Sequence, residues 1–290
     1  MNLTWSSYVQ GEKTLYYSRR LRFNDMFMEQ YKTLFALDNR KNLEILEIGC
    51  GPGALAGALR RWYPKAKVTG VDLDSEFIRF AKEHEEGVAF VEGDVKELPF
   101  ADKSFDVVIS NTVSEHIEPS GFYGEQLRVL RDGGVCLVLS SRRGICVAPN
   151  CAVLSEKERA FWDRARKYDD SIEKFSICKY PMNESELPAT MERYGFREVR
   201  TGYAVINLTP DDPKYPQTMA LDMIEAERYS ELDALDSVLC TMPEHFLAEE
   251  IGEMKCLANA RYDVRAEQYR RGEKQWDTNV SVILVVRGVK

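Results

Sequence analysis

Leu43 to Gly53 reads L-E-I-L-E-I-G-C-G-P-G. Its first six residues fit a short buried strand. Gly49, Gly51 and Gly53 follow at once, ahead of a helical pattern over Ala54 to Trp62. The order is strand, tight turn, helix. Side chains on such a turn would keep the backbone from a ligand, and the turn can demand positive φ, so glycine suits it. A helix starting after Pro52 offers unpaired N–H groups and partial positive charge to an anionic group. The stretch therefore reads as a nucleotide-type binding loop.

Alone, the loop is ambiguous, because Gly49, Gly51 and Ala54 also satisfy the dinucleotide pattern G-x-G-x-x-[G/A]. The chain beyond Trp62 narrows the choice. Val68 to Val71 is a second apolar strand ending in Asp72, the position from which an acidic residue bonds both ribose hydroxyls. Val88 to Val91 leads into Glu92-Gly93-Asp94-Val95, then Leu98-Pro99-Phe100. Ser104 to Asn111 (S-F-D-V-V-I-S-N) comes next, and then Leu130-Arg131-Asp132-Gly133-Gly134.

Over Leu43 to about Ser140, with five signatures in order, this series resembles the class I S-adenosylmethionine (SAM) dependent methyltransferases, and among them the ubiquinone/menaquinone-biosynthesis-like small-molecule branch. The resemblance implies an α/β fold, a Rossmann-like doubly wound seven-stranded sheet with an antiparallel last strand and mainly helical insertions. It implies SAM as cofactor and S-adenosyl-L-homocysteine as product. It places Glu47, Gly49, Cys50, Gly51, Gly53, Asp72, Leu73, Gly93, Asp94, Val95 and Asn111 around the cofactor. Asp72 is expected on the ribose and Asp94 on the adenine amino group. In this class the N-terminal segment closes over the methionine end, which makes Tyr17 and Arg20 candidates for its carboxylate; packing roles for both stay open. Enzymes that methylate base amino groups carry Asn/Asp-Pro-Pro-aromatic after the fourth strand, and Ser110-Asn111-Thr112-Val113 lacks it.

The rest of the chain is consistent with one elaborated α/β domain. It has 290 residues, 44% hydrophobic and 30% charged, a size that buries a substantial core. A net charge of −8 argues against a nucleic-acid partner. Seven scattered cysteines without a C-x-x-C point to reduced thiols rather than a disulfide framework or zinc ribbon. Met1 to Gln10 lacks a leader's basic and apolar regions, so a soluble cytoplasmic protein is expected, monomeric or homodimeric.

Residues 1–42 read as a helical arm or lid, with helical spacing at Phe23, Phe27, Tyr31 and Leu34. Residues 43–140 form the SAM-binding core, resumed at 183–206 and in the last strand at 278–290. Residues 141–182 are an insertion placed to act as a lid, with a capping box at Ser155 to Glu158 and a helix to about Tyr168. Residues 207–277 are a helical insertion and candidate substrate pocket, with Thr241 to Glu244 as a further capping box. Its Met219, Met223, Tyr229, Met242, Phe246 and Met254 line either a pocket or a core.

A sulfonium methyl is already activated, so alignment carries most of the chemistry and can contribute up to roughly 7–11 kcal/mol. A base matters only where the acceptor must lose a proton. Glu115 and His116 are the candidates, His116 as base or as a residue that holds the motif together. No metal is expected. A soft-metal site at Cys146, Cys151 and Cys178 is the alternative to that expectation, and Asp169-Asp170 reads as solvated charge. Two rival functions remain at this level: a catalytically silent SAM-binding module, and a nicotinamide-dependent oxidoreductase.

Overall fold

The computed structural model describes residues 5–8, 10–38, 42–169 and 177–290. Residues 1–4, 9 and 39–41 of the expected arm and residues 170–176 of the expected lid at 141–182 lie outside the described residues. Among those described, seven strands form one sheet: β1 (Glu44–Ile48), β2 (Lys67–Asp72), β3 (Val88–Glu92), β4 (Phe105–Asn111), β5 (Leu130–Val147), β6 (Arg197–Leu208) and β7 (Thr278–Val289). Their order is β3-β2-β1-β4-β5-β7-β6. The pairs β1–β2, β1–β4, β2–β3 and β4–β5 are parallel. At the other end of the sheet, Lys290 N donates to Gly134 O at 2.9 Å and Gly133 N donates to Lys290 O at 3.2 Å. The end of β7 thus meets the start of β5, so this last strand runs antiparallel, as the resemblance implied.

The helices, in chain order, are α1 (Trp5–Tyr8), α2 (Glu12–Arg22), α3 (Met28–Phe35), α4 (Ala54–Trp62), α5 (Ser75–His84) and α6 (Pro119–Val129). They continue with α7 (Glu156–Tyr168), α8 (Glu186–Arg193), α9 (Gln217–Thr241) and α10 (Ala248–Arg270). Two compact units divide the chain. The sheet unit comprises Arg22–Arg143, Ser176–Ile206 and Ser281–Lys290. The second unit comprises the described residues of Met1–Leu21, Gly144–Phe175 and Asn207–Val280.

In the sheet unit the β1 run Ile45-Leu46-Glu47-Ile48 is buried on both faces, as a parallel strand covered by helices must be. Leu46, Ile48, Val108, Val138, Leu284 and Val286 pack with Phe122 and Tyr123 of α6 and Leu187 and Met191 of α8. Each such side chain contributes about 1.5–3 kcal/mol on burial. Elsewhere in this unit Tyr31 stacks on Trp62, with ring centroids 5.4 Å apart, beside Phe23 and Phe35. The spacing of Phe23, Phe27, Tyr31 and Leu34 is interrupted: Asn24 accepts from Met26 N and caps a 3₁₀ turn, so the helix restarts at Met28.

In the second unit α9 and α10 run side by side, joined to α7 by a core of Phe161, Leu235, Val238, Phe246, Ile251 and Met254. These aromatic and methionine side chains are core. Arg265 of α10 is fully enclosed between Asp211, at 2.9 Å, and Asp277, at 2.6 Å. The Ser155/Glu158 capping box is present at α7.

Two boundaries differ from the sequence reading. β5 does not stop near Ser140 but continues through Arg142 to Val147, because a strand's ladder is made by backbone and polar side chains do not end it. Thr241 caps no following helix. It is the last residue of α9, its hydroxyl donates to Ser237 O at 2.7 Å, and α10 begins only at Ala248 with Leu247 at its N-cap. The T-x-x-E pattern is local, whereas the length of α9 is set by the core it shares with α10 and α7.

Candidate active site at the carboxyl end of the sheet

The glycine turn after β1 is held by backbone bonds, Cys50 N to Val71 O at 3.0 Å and Gly53 N to Cys50 O at 3.1 Å. Gly49 has φ +63°, and a Cβ there would lie 2.5 Å from Val113 Cγ2. Gly53, with φ +89°, opens α4 without a side-chain cap, and a Cβ would lie 2.8 Å from Phe90 Cζ. Neither position admits another residue without displacement. Gly51 N donates to Asp72 Oδ2 at 2.7 Å, and Asp74 N donates to Asp72 Oδ1 at 2.9 Å. Burial pushes the Asp72 carboxyl up, and these amides pull it part of the way back.

The other expected cofactor residues surround this turn in the sheet unit. Glu47 is 2% exposed in β1, opposite Gly70 and Ile109 in register. Burial, reinforced by Glu47 and Asp72, pushes the Cys50 thiol well up, so it stays neutral. Leu73 stands 66% exposed beside Asp72, an apolar surface at the rim. Gly93 N donates to Asp72 O at 2.9 Å, which brings Asp94 next to the end of β2. Asp94 Oδ1 accepts from Lys96 N, and Val95 is buried in the core. Asn111 is buried at the end of β4, and Thr112 N donates to Leu139 O at 2.8 Å.

After β4 the chain turns tightly, with His116 N donating to Val113 O at 3.0 Å. Because Val113 packs on Gly49, this turn and the glycine turn adjoin. Ser114 Oγ donates to Glu115 Oε2 at 3.1 Å, and His116 Nδ1 accepts from Cys178 N at 3.0 Å. Glu115 and His116 thereby follow directly on the residue that packs against the glycine turn. Tyr17 and Arg20 belong to α2 in the second unit, where Tyr17 stacks on Tyr229 at 5.9 Å. There burial pushes the Asp222 carboxyl up and Arg20 lowers it. Cys146 and Cys151 belong to the second unit and Cys178 to the sheet unit.

Two supporting residues are not evident from sequence motifs. Arg128 of α6 donates to Leu98 O, Phe100 O, Asp102 and Glu125, and so fixes the Leu98-Pro99-Phe100 loop. Gly70, within β2, has Cys50 Sγ and Phe90 at 2.9 Å from where its Cβ would be. A glycine inside a strand is the sequence signal that marks such close approach. An open depression of about 620 Å³ elsewhere in the sheet unit, lined by Glu29, Lys32, Asp38 and Tyr63 among others, contains none of the expected site residues.

Residues 46–138 match the family described as "Methyltransferase domain". The chain is 38% identical over 123 residues to the fatty-acid O-methyltransferase of Mycolicibacterium smegmatis, covering 41% of this chain and 44% of that protein. It is 42% identical over 95 residues to the phthiotriol/phenolphthiotriol dimycocerosates methyltransferase of Mycobacterium tuberculosis, covering 31% and 35%. The match therefore spans less than half the length of either relative. Both relatives are named methyltransferases, which supports the class; the expected ubiquinone/menaquinone-biosynthesis-like branch has no support in these two names. Among solved structures, phosphoethanolamine N-methyltransferase 2 of Haemonchus contortus, in complex with SAM, superposes with a TM-score of 0.52 at 17% identity. That superposition covers 99% of this chain and 59% of that one and attests the fold.

Proposed function

We propose that this chain, whose residues 46–138 form a class I SAM-dependent methyltransferase domain, is an enzyme that methylates an oxygen of a small, lipid-type acceptor. The observation that carries the reading is the Asp72 carboxylate. It is held from two sides by the Gly51 and Asp74 amides, so its remaining lone pairs can accept from a ribose diol. The glycine turn beside it leaves backbone where side chains would block a ligand, and the open start of α4 suits a carboxylate. These residues fit SAM.

When bound, SAM supplies an activated methyl group on a sulfonium. The protein's part is to hold and align. Asp72 fixes the ribose, Asp94 and Leu73 hold the adenine, and the Gly49–Gly53 turn holds the methionine portion. The lipid-type acceptor is inferred from the names of the two relatives. We infer the cytoplasm from the scattered, unpaired cysteines. Among the described residues, no helix is long and apolar enough to cross a membrane.

Calorimetry with SAM and S-adenosylhomocysteine, followed by mass spectrometry of products from hexadecanoate, hexadecanol and a long-chain phenol, tests this reading. Binding of both ligands and a mass gain of one methyl on a lipid acceptor is the expected result. Failure to bind either ligand overturns it; binding without transfer leaves a SAM-binding module.

A further inference from the structure

Within the sheet unit, the segment Cys178–Met182 is stitched to the turn after β4 and to β5. Cys178 N donates to His116 Nδ1 at 3.0 Å, and Tyr180 N donates to Glu115 O at 2.8 Å. Arg142 Nη1 donates to Met182 O at 2.9 Å, with Arg142 Nε 3.4 Å from Glu184. Cys178 has φ +53°, a left-handed conformation that a side-chain-bearing residue keeps only when its surroundings impose it. The turn these bonds reach is the one that packs on Gly49 through Val113.

An imidazole nitrogen that accepts an N–H carries no proton, so the neutral His116 ring holds its proton on Nε2. A general base needs an available lone pair. Here the Nδ1 lone pair is engaged and Nε2 is already protonated. Protonating Nδ1 would set N–H against N–H and release Cys178. Glu115, the other base candidate, accepts from the hydroxyl of its neighbour Ser114 at one carboxylate oxygen, so it serves as the base only if Glu115→Gln loses transfer to hexadecanoate.

We propose that His116 is a positioning residue that holds Cys178–Met182 against the turn after β4, and that the acceptor arrives already ionised, as a carboxylate. This rests on the methyl-transfer reading above. In that step a bond forms between a carboxylate oxygen and the methyl carbon while the sulfur–carbon bond breaks. The bonding pair stays on sulfur, and no proton changes hands. A lipid carboxylate meets this requirement at neutral pH, whereas an alcohol does not.

The test uses the full chain with His116→Ala and His116→Asn, since an Asn side-chain oxygen takes the place of Nδ1. Hydrogen exchange of residues 177–182 needs no acceptor. Protection should fall roughly fivefold or more in His116→Ala and return in His116→Asn. Transfer to hexadecanoate should follow the same order, the loss in His116→Ala falling mainly on KM. On acidification the unsubstituted protein should lose transfer as protonation of Nδ1 releases Cys178, whereas His116→Asn, which has no such proton to take, should keep it; Glu115, Glu118, Cys178, Lys179 and Glu184 are common to both. Unchanged protection in His116→Ala overturns the positioning role. Restored protection with lost turnover in His116→Asn makes the ring the base. Transfer to hexadecanol but not hexadecanoate overturns the carboxylate assignment. Absence of SAM binding in calorimetry strikes the underlying reading instead, and the exchange result still decides the role of His116.

Discussion

Gly51 and Asp72 are joined by a 2.7 Å hydrogen bond from the Gly51 amide to Asp72 Oδ2, which ties the turn after β1 to the end of β2. The Asp74 amide holds the other oxygen. Asp72→Ala should therefore weaken SAM binding at least tenfold, since a hydrogen bond to a charged acceptor contributes about 1.5–3 kcal/mol. Asp72→Asn should do no better, because its NH₂ must face one of the two amide donors. Calorimetry on folded variants decides, and unchanged affinity in either removes Asp72 from the ribose.

Gly49→Ala meets two obstacles, φ +63° and a Val113 methyl 2.5 Å from the new Cβ. The backbone part costs about 1–2 kcal/mol. The double variant Gly49→Ala/Val113→Ala should recover the steric part of the lost stability and leave the backbone part. Denaturant melts of the four proteins of this cycle measure it. A double variant no more stable than Gly49→Ala shows that Val113 is not the obstacle.

Arg265 is enclosed in the second unit with Asp211 and Asp277, and Asp211 also accepts from Gln275 N and Trp276 N. Asp211→Ala leaves a buried guanidinium short of a partner and two amides short of an acceptor. A loss of about 3–5 kcal/mol is expected. A loss below about 1 kcal/mol in urea titration would show that water takes the place of Asp211.

Hydrogen bonding to Arg128 holds the Glu125 carboxyl below the usual glutamate range, although partial burial opposes this. The folded-state pKa is depressed, so this contribution is present above the unfolded pKa, about 4.3, and is lost as pH falls through the folded one. Melting temperature should drop on acidification in that window, and Glu125→Gln should flatten the drop while lowering stability at neutral pH. Parallel melting curves across the acidic range for the two proteins would count against this.

The features legible in the chain were those that repeat or are local. The apolar run of β1, the glycines after it and the acids ending β2 and preceding Val95 sit within short windows, so the crevice was legible before its geometry. Arg128 bonding Leu98 O and Phe100 O, Asp25 accepting from Trp62 Nε1, and Arg265 between two distant aspartates are pairings across long separations that leave no periodic mark. Cys178 meeting His116 is of the same kind. Thr241 shows the opposite error, where a correct local pattern lost to tertiary packing.

The place of β7 between β5 and β6 has a consequence for synthesis. On a ribosome β6 emerges well before its neighbour, with residues 209–277 made in between, and until β7 arrives it has no strand to join. The nascent sheet therefore waits as five of its seven strands, holding the glycine turn, Asp72 and Asp94, with the β5 edge open. A chaperone that shields unpaired strand edges would act on that intermediate, and stalling translation just before Thr278 should capture it.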